Sequence, residues 1–238
     1  MNYILVLLLT LISASFGTLT GFGTSTIMVP TLLAIKFPLP EVLLFVGVIH
    51  WFGDLWKIFL FKKGVNWKLI FLFGVPGIVA SYLGASIPFS LDSNILEKLL
   101  AIFLFSYTLF IFLKPKWKVS KGTKNALLGG TLSGFFAGIF GVGGAVRGVF
   151  LSAFNLDKSV YIFTSGVIAF FIDTTRLIRY YQGNIELNQL SYTLLLLSIP
   201  ISFVGAIIAK KLVDKIPQEN FRKIVALGLL IASVLLFL

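Results

Sequence analysis

Apolar runs of about twenty residues recur along the whole chain, separated by short polar or charged breaks. They cover residues 3–35, 42–61, 67–87, 95–113, 126–154, 160–181, 190–209 and 221–238. Since about 20 helical residues cross the ~30 Å hydrocarbon layer of a bilayer, the pattern predicts an all-α integral membrane protein with eight helical segments. The only clearly hydrophilic stretch is the basic segment 114–124, KPKWKVSKGTK. It divides the chain into a membrane repeat over 1–113 and a second over 125–238.

The two halves share landmarks as well as segment number. Asp54 and Lys57 followed by Gly64 line up with Asp173 and Arg176 followed by Gly183, at a constant offset of 119. Gly21 and Gly23 match Gly141 and Gly143 at 120, and Gly84-Ala85 matches Gly205-Ala206 at 121, each shift needing one inserted residue. A tandem duplication of this kind is a common build for a secondary transporter.

The first segment of each half is abnormal. Residues 3–35 number 33, and one straight helix of that length would measure roughly 50 Å, well beyond what a bilayer needs. The expected breaks are Gly17 to Gly23, with three glycines in seven residues, and Gly141-Val-Gly143-Gly144, because glycine weakens a helix and frees the backbone to turn. The remaining arms of 10 to 16 residues are too short to cross, so each opening segment reads as a re-entrant hairpin with its tip inside the membrane. Broken helices that do cross would use the same glycines. Pro30, Pro76 and Pro200 in apolar runs predict kinks.

The charge distribution separates these topologies. Leaving aside Lys57, Arg147 and Arg176 inside apolar segments, eight full crossings place eight cations on one side and nine on the other. With two re-entrant hairpins the same cations sort as fourteen against three, the three being Lys36, Lys98 and Arg179. Only the second distribution obeys the positive-inside rule. The favoured reading is two inverted repeats, each a glycine-tipped hairpin plus three spanning helices, with both chain ends outside and the 114–124 loop in the cytoplasm.

Composition supports this class and excludes others. Residues of the hydrophobic set make up 58% of the chain and charged residues 12%, far from the balance of a soluble domain. The chain has no cysteine and a single histidine, His50, which excludes disulfides, iron–sulfur clusters, thiol catalysis and a histidine-rich metal site. The net charge of +11 comes from cations that flank apolar runs, so it reads as topological rather than as a nucleic-acid surface. The apolar start lacks a basic leader region and a small-residue cleavage site and is expected to belong to the mature fold.

Broken helices leave N–H groups without intrahelical partners, together with the positive end of a helix dipole, at mid-membrane depth. That combination favours an anion. The expected substrate site is formed by Gly21, Gly23, Thr24 and Ser25 from the first half and Gly143, Gly144 and Arg147 from the second. Arg147 carries a planar fork of donors suited to a sulfonate, sulfite or carboxylate. Close packing by the glycines and a structurally paired Arg147 are the competing readings.

His50, Asp54, Lys57, Asp173 and Arg176 are the expected coupling or gating residues. A buried carboxylate implies a partner, and each aspartate has a cation three residues later on the same helix face. The alternative is a pair of ion pairs that only make insertion tolerable. His50 lies four residues before Asp54, and a His/Asp pair can take up a proton near neutral pH; a satisfied buried histidine is the competing reading. The second half has Ala169 and Phe170 at the matching place. Asn155 and Thr164 are further candidate polar liners. Nucleophile elbows, P-loops and HExxH motifs are absent, so no enzyme activity, metal or cofactor is expected.

The duplicated glycine motif with Pro30, the run Gly138-Ile-Phe-Gly-Val-Gly-Gly144, and the stretch from Gly144 to Asn155 with Tyr161, Thr164, Asp173, Arg176, Tyr180 and Gly183 resemble the TauE/SafE sulfite exporter family over nearly the whole chain. Phe150 stands where many members repeat the proline, and Arg147 where many have an apolar residue. The resemblance implies movement of sulfur oxyanions or organosulfonates across the plasma membrane, driven by an ion gradient. The expected function is therefore a multi-pass secondary transporter of a small anion that works by alternating access, in contact with membrane lipid and not with nucleic acid. Association into a homo-oligomer is left open. A passive anion channel and a non-transporting membrane scaffold or assembly factor are the alternatives.

Overall fold

A computed structural model describes residues 3–62, 64–113, 119–217 and 220. Among them the chain is all helical, with no strand. The elements are α1 (Tyr3–Thr20), α2 (Ser25–Ala34), α3 (Leu39–Leu60), α4 (Trp67–Ser86) with a 3-10 turn Ile87–Phe89, α5 (Ser93–Leu113), α6 (Thr123–Phe140), α7 (Gly143–Ser152), α8 (Lys158–Gln182) and α9 (Tyr192–Lys215). The expected last segment, 221–238, and residues 114–118 of the basic stretch lie outside the described residues.

Among the described residues, five helices, α1, α3, α4 with its 3-10 turn, α8 and α9, are long and apolar enough to cross a membrane. Helices α2 and α7 have ten residues each, about 15 Å, which is too short to cross. Both overlong sequence segments are therefore interrupted at glycines, but α1 and α6, with 18 residues each, exceed the expected arms of 10 to 16 because α1 continues through Gly17 and α6 begins before the apolar run. Elsewhere the boundaries follow local chemistry. Asn66 caps α4 by accepting the Leu69 N–H at 3.1 Å, and Ser191 caps α9 by accepting the Leu194 N–H at 3.2 Å. Pro30, Pro76 and Pro200 lie inside α2, α4 and α9. Large apolar side chains such as Ile4, Leu8, Phe71, Val75 and Leu196 face outward, as lipid contact requires.

The halves interlock. Helix α6 lies along α4 with its backbone nearly touching at three successive turns: Gly130 meets Phe73, Gly134 meets Gly77, and Gly138 meets Ser81 and Gly84. Helix α9 packs on α1 in the corresponding way, with Gly205 against Leu11 and Ala14. The repeated Gly-Ala pair thus serves the same purpose twice, seating α4 on α6 through Gly84 and α9 on α1 through Gly205. Helices α3 and α8 cross between these pairs and are joined by the Trp51 indole, which donates to Thr174 Oγ1 at 2.8 Å.

Contacts also define the two ends of the bundle. At one, Tyr3 bonds Ser191 at 3.0 Å, Arg179 lies over the Phe89 ring, and the Glu41 carboxylate accepts the N–H groups of Asn188, Gln189 and Leu190 at 2.8 to 3.0 Å. At the other, Gly64 lies beside Val160, Lys210 lies over Phe61, and the Lys158 ammonium donates to the carbonyls of Val213 and Ile216 at 2.6 Å.

Candidate functional site

The site begins with two turns that only glycine forms without strain. After α1, Gly21 and Gly23 adopt φ of 78° and 93°, and the Gly23 N–H returns to the Gly17 carbonyl at 3.0 Å. After α6, Gly141 adopts φ of 72° and its N–H bonds the Ala137 carbonyl at 2.9 Å. Each tip lies within the protein: all residues from 20 to 30 and from 137 to 148 are buried.

The tips touch one another and the crossing helices. The Phe22 carbonyl occupies the space a Gly144 side chain would need, and the His50 ring occupies that of Gly23. Helix α2 opens at Ser25 behind Thr24, and α7 opens at Gly143 behind Val142; neither start is capped by a side-chain hydrogen bond. The hydroxyls of Ser25 and Thr26 are buried without a hydrogen-bond partner. Thr24 Oγ1 lies beside Gly53 of α3. The sequence-predicted substrate residues Gly21, Gly23, Thr24, Ser25, Gly143, Gly144 and Arg147 are thus buried around the two meeting tips.

The five sequence-predicted coupling residues converge at the same depth. Lys57 Nζ bonds Asp54 Oδ1 at 2.6 Å, and Arg176 Nε bonds Asp173 Oδ1 at 2.8 Å, so both expected i,i+3 pairs form. His50 faces Asp54 as its spacing predicts, and meets a second carboxylate as well. Its Nε2 stands 3.9 Å from Asp54 on its own helix, while Nδ1 lies 2.5 Å from Asp173 Oδ2 of the other half. The face-to-face crossing of α3 and α8 sets this bridge, and spacing along α3 alone does not reveal it.

Arg147 enters the cluster from α7. Its Nε donates to Ser165 Oγ at 3.0 Å, and that hydroxyl donates in turn to the Gly21 carbonyl at 2.7 Å. Arg147 Nη2 is buried without a hydrogen-bond partner, and among the described residues no carboxylate pairs with this guanidinium. With His50 neutral, the cluster holds three cations, Lys57, Arg147 and Arg176, against two carboxylates, Asp54 and Asp173. It carries one net positive charge, and none of its members is more than 3% exposed.

Two further polar residues have different fates. Thr164 is fully buried and its hydroxyl lacks a hydrogen-bond partner. Asn155 does not line the interior: it is exposed in the turn between α7 and α8 with φ of 50°, a conformation asparagine tolerates better than most residues. Sequence reasoning passed over Ser165, one of several hydroxyls in α8 and without a repeated counterpart; Tyr161, which entered only through the family resemblance, packs its ring against Gly21. A cavity of about 410 Å³ lies elsewhere, near Glu41, Phe89 and Asn184 at one end of the bundle.

Buried amide ends, hydroxyls and a guanidinium with spare donors suit an oxyanion, because each supplies positive potential in a low-dielectric setting. Interrupted helices meeting at a buried charged cluster inside a multi-pass apolar bundle define a membrane transporter. The chain matches the sulfite exporter TauE/SafE family over residues 6–236 and belongs to it. It is also similar to the probable membrane transporter protein of Methanocaldococcus jannaschii, with 28% identity over 252 aligned positions that cover 97% of this chain and 91% of the relative.

Proposed function

We propose that the protein is a secondary transporter that moves a small oxyanion, a sulfur oxyanion or an organosulfonate, across the plasma membrane by alternating access. The observation that carries this reading is the surplus positive charge at the meeting of the tips, with Arg147 Nη2 lacking a partner. A buried unpaired charge is costly, and an anion seated there offsets the cost. The family's description as a sulfite exporter supports the sulfur oxyanion class. Complete burial of the cluster suits an occluded carrier intermediate rather than an open pore.

In this reading the halves are inverted repeats, each hairpin is re-entrant, and the basic 114–124 segment lies in the cytoplasm. The positions of the described cations support that orientation. Lys36, Lys98 and Arg179 belong to the end where Glu41 binds residues 188–190, whereas Lys62, Lys121, Lys158 and Lys210 belong to the opposite end. Gly21, Gly23, Thr24, Ser25, Gly143, Gly144 and Arg147 contact the anion, and the two repeats rock about it.

The test is uptake of sulfite, thiosulfate and taurine into proteoliposomes. Arg147→Ala removes a charge-assisted contact made in a desolvated site, a loss of about 2 kcal/mol or more, which is at least about 30-fold in apparent affinity. Folded Arg147→Ala protein with unchanged saturable uptake would remove Arg147 from the site.

A further inference from the structure

His50 is the cluster's one imidazole, the side-chain type most used as a proton carrier, and it touches both halves. Charged or titratable side chains reach its surroundings from three elements. Helix α3 supplies Asp54 and Lys57, α8 supplies Asp173 and Arg176 with the phenols of Tyr161 and Tyr180, and α7 supplies Arg147. Helix α2 contains no titratable side chain, and the charges of α9 are confined to its last turns, Lys210 to Lys215. The Gly23 turn, which packs directly on the imidazole, brings only backbone.

The ligating atoms of His50, Asp54 and Asp173 lie within 4.8 Å of one another, a spacing a metal cation would fit. Lys57 and Arg176 already neutralise the two carboxylates, however, so a metal ion would add charge to a cluster that is positive without it. With a dianion bound, a divalent metal ion would still leave the cluster positive, whereas a single proton on His50 would balance it.

The charge count makes the outcome depend on the anion's valence. With His50 neutral the cluster is at plus one, so a monovalent anion beside Arg147 brings it to zero. A divalent anion brings it to minus one, and one proton on the imidazole, held between Asp173 and Asp54, restores zero. Unbalanced enclosed charge is costly, so a divalent anion and the proton favour each other's binding, and by reciprocity to the same degree.

Resting on the transporter reading above, we propose that His50 is the proton site of the carrier, loaded together with a divalent oxyanion and left unprotonated with a monovalent one. The imidazole takes one proton at its free ring nitrogen from the side where the anion enters and releases it where the anion leaves. No bond within the anion changes.

The experiment uses the full chain in proteoliposomes containing a pH-sensitive dye, with two probes that are fully ionised across neutral pH and bring no proton themselves. Thiosulfate is the dianion and methanesulfonate the monoanion. The expected result is close to one proton per thiosulfate and close to none per methanesulfonate. His50→Gln should lose the proton movement that accompanies thiosulfate. The wild-type ratio tests the inference even where that variant does not fold. Equal proton ratios for the two probes, or proton coupling retained in His50→Gln, would overturn the inference while leaving the transporter reading intact. Failure of the wild type to move or bind either anion would overturn both.

Discussion

Ser165→Ala tests how Arg147 is held. The Ser165 hydroxyl is buried and makes two contacts, accepting from Arg147 Nε at 3.0 Å and donating to the Gly21 carbonyl at 2.7 Å. It therefore fastens the guanidinium of one half to the tip of the other. A hydrogen bond to a charged group contributes about 1.5 to 3 kcal/mol and a neutral one about 0.5 to 1.5 kcal/mol. Without the hydroxyl, Arg147 is free to turn toward Asp54 and Asp173, the carboxylates that already attract it. Ordering it again when the anion arrives then takes about 1 to 2 kcal/mol from binding, a rise in transport KM of roughly 5- to 30-fold. The assay is initial-rate uptake of thiosulfate by proteoliposomes across a concentration series, with thermal stability measured on the same preparations. Ser165→Cys, whose thiol is a weak donor and acceptor of similar size, should fall between wild type and alanine. An unchanged KM in stable Ser165→Ala protein would show that Arg147 is positioned by something else.

Two further outcomes follow from the ion pairs and the topology. Asp54→Asn leaves the Lys57 ammonium buried without its counter-ion and should cost about 3 to 5 kcal/mol of stability, with most of it recovered by adding Lys57→Met; absence of recovery in a thermal unfolding series would mean that the two do not act as a neutralised unit. Because the chain contains no cysteine, single cysteines placed at exposed Lys121, Asp157 and Glu186 can be mapped with a membrane-impermeant maleimide, and those at 121 and 157 should react from one face and that at 186 from the other. Reaction of 121 and 157 from opposite faces would mean that the segment between them crosses the membrane.

The helical breaks were legible because an apolar run of 33 residues exceeds any bilayer and the glycines mark where it must yield. The Asp54–Lys57 and Asp173–Arg176 pairs were legible for a similar reason, since both partners lie one turn apart on the same helix. What the sequence concealed is long-range. That His50 meets Asp173 as well as Asp54 depends on how α3 and α8 cross, and no local spacing encodes a crossing. Ser165 was hidden because it is one of several hydroxyls in α8, and a hydroxyl within a helix most often bonds its own backbone. Here it instead joins Arg147 to the Gly21 carbonyl. Asn155 misled in the opposite sense, its polarity serving a tight turn in place of a cavity.

The exchange of partners between halves has a consequence for synthesis. Helix α1 seats on α9, and α4 on α6, so the backbone seams of the first half are completed only by helices made later. While the ribosome is still producing the second half, α1 has lipid where its final neighbour will be. The newborn first half is thus a set of inserted helices awaiting their counterparts, and the charged cluster assembles only after α8 has joined α3.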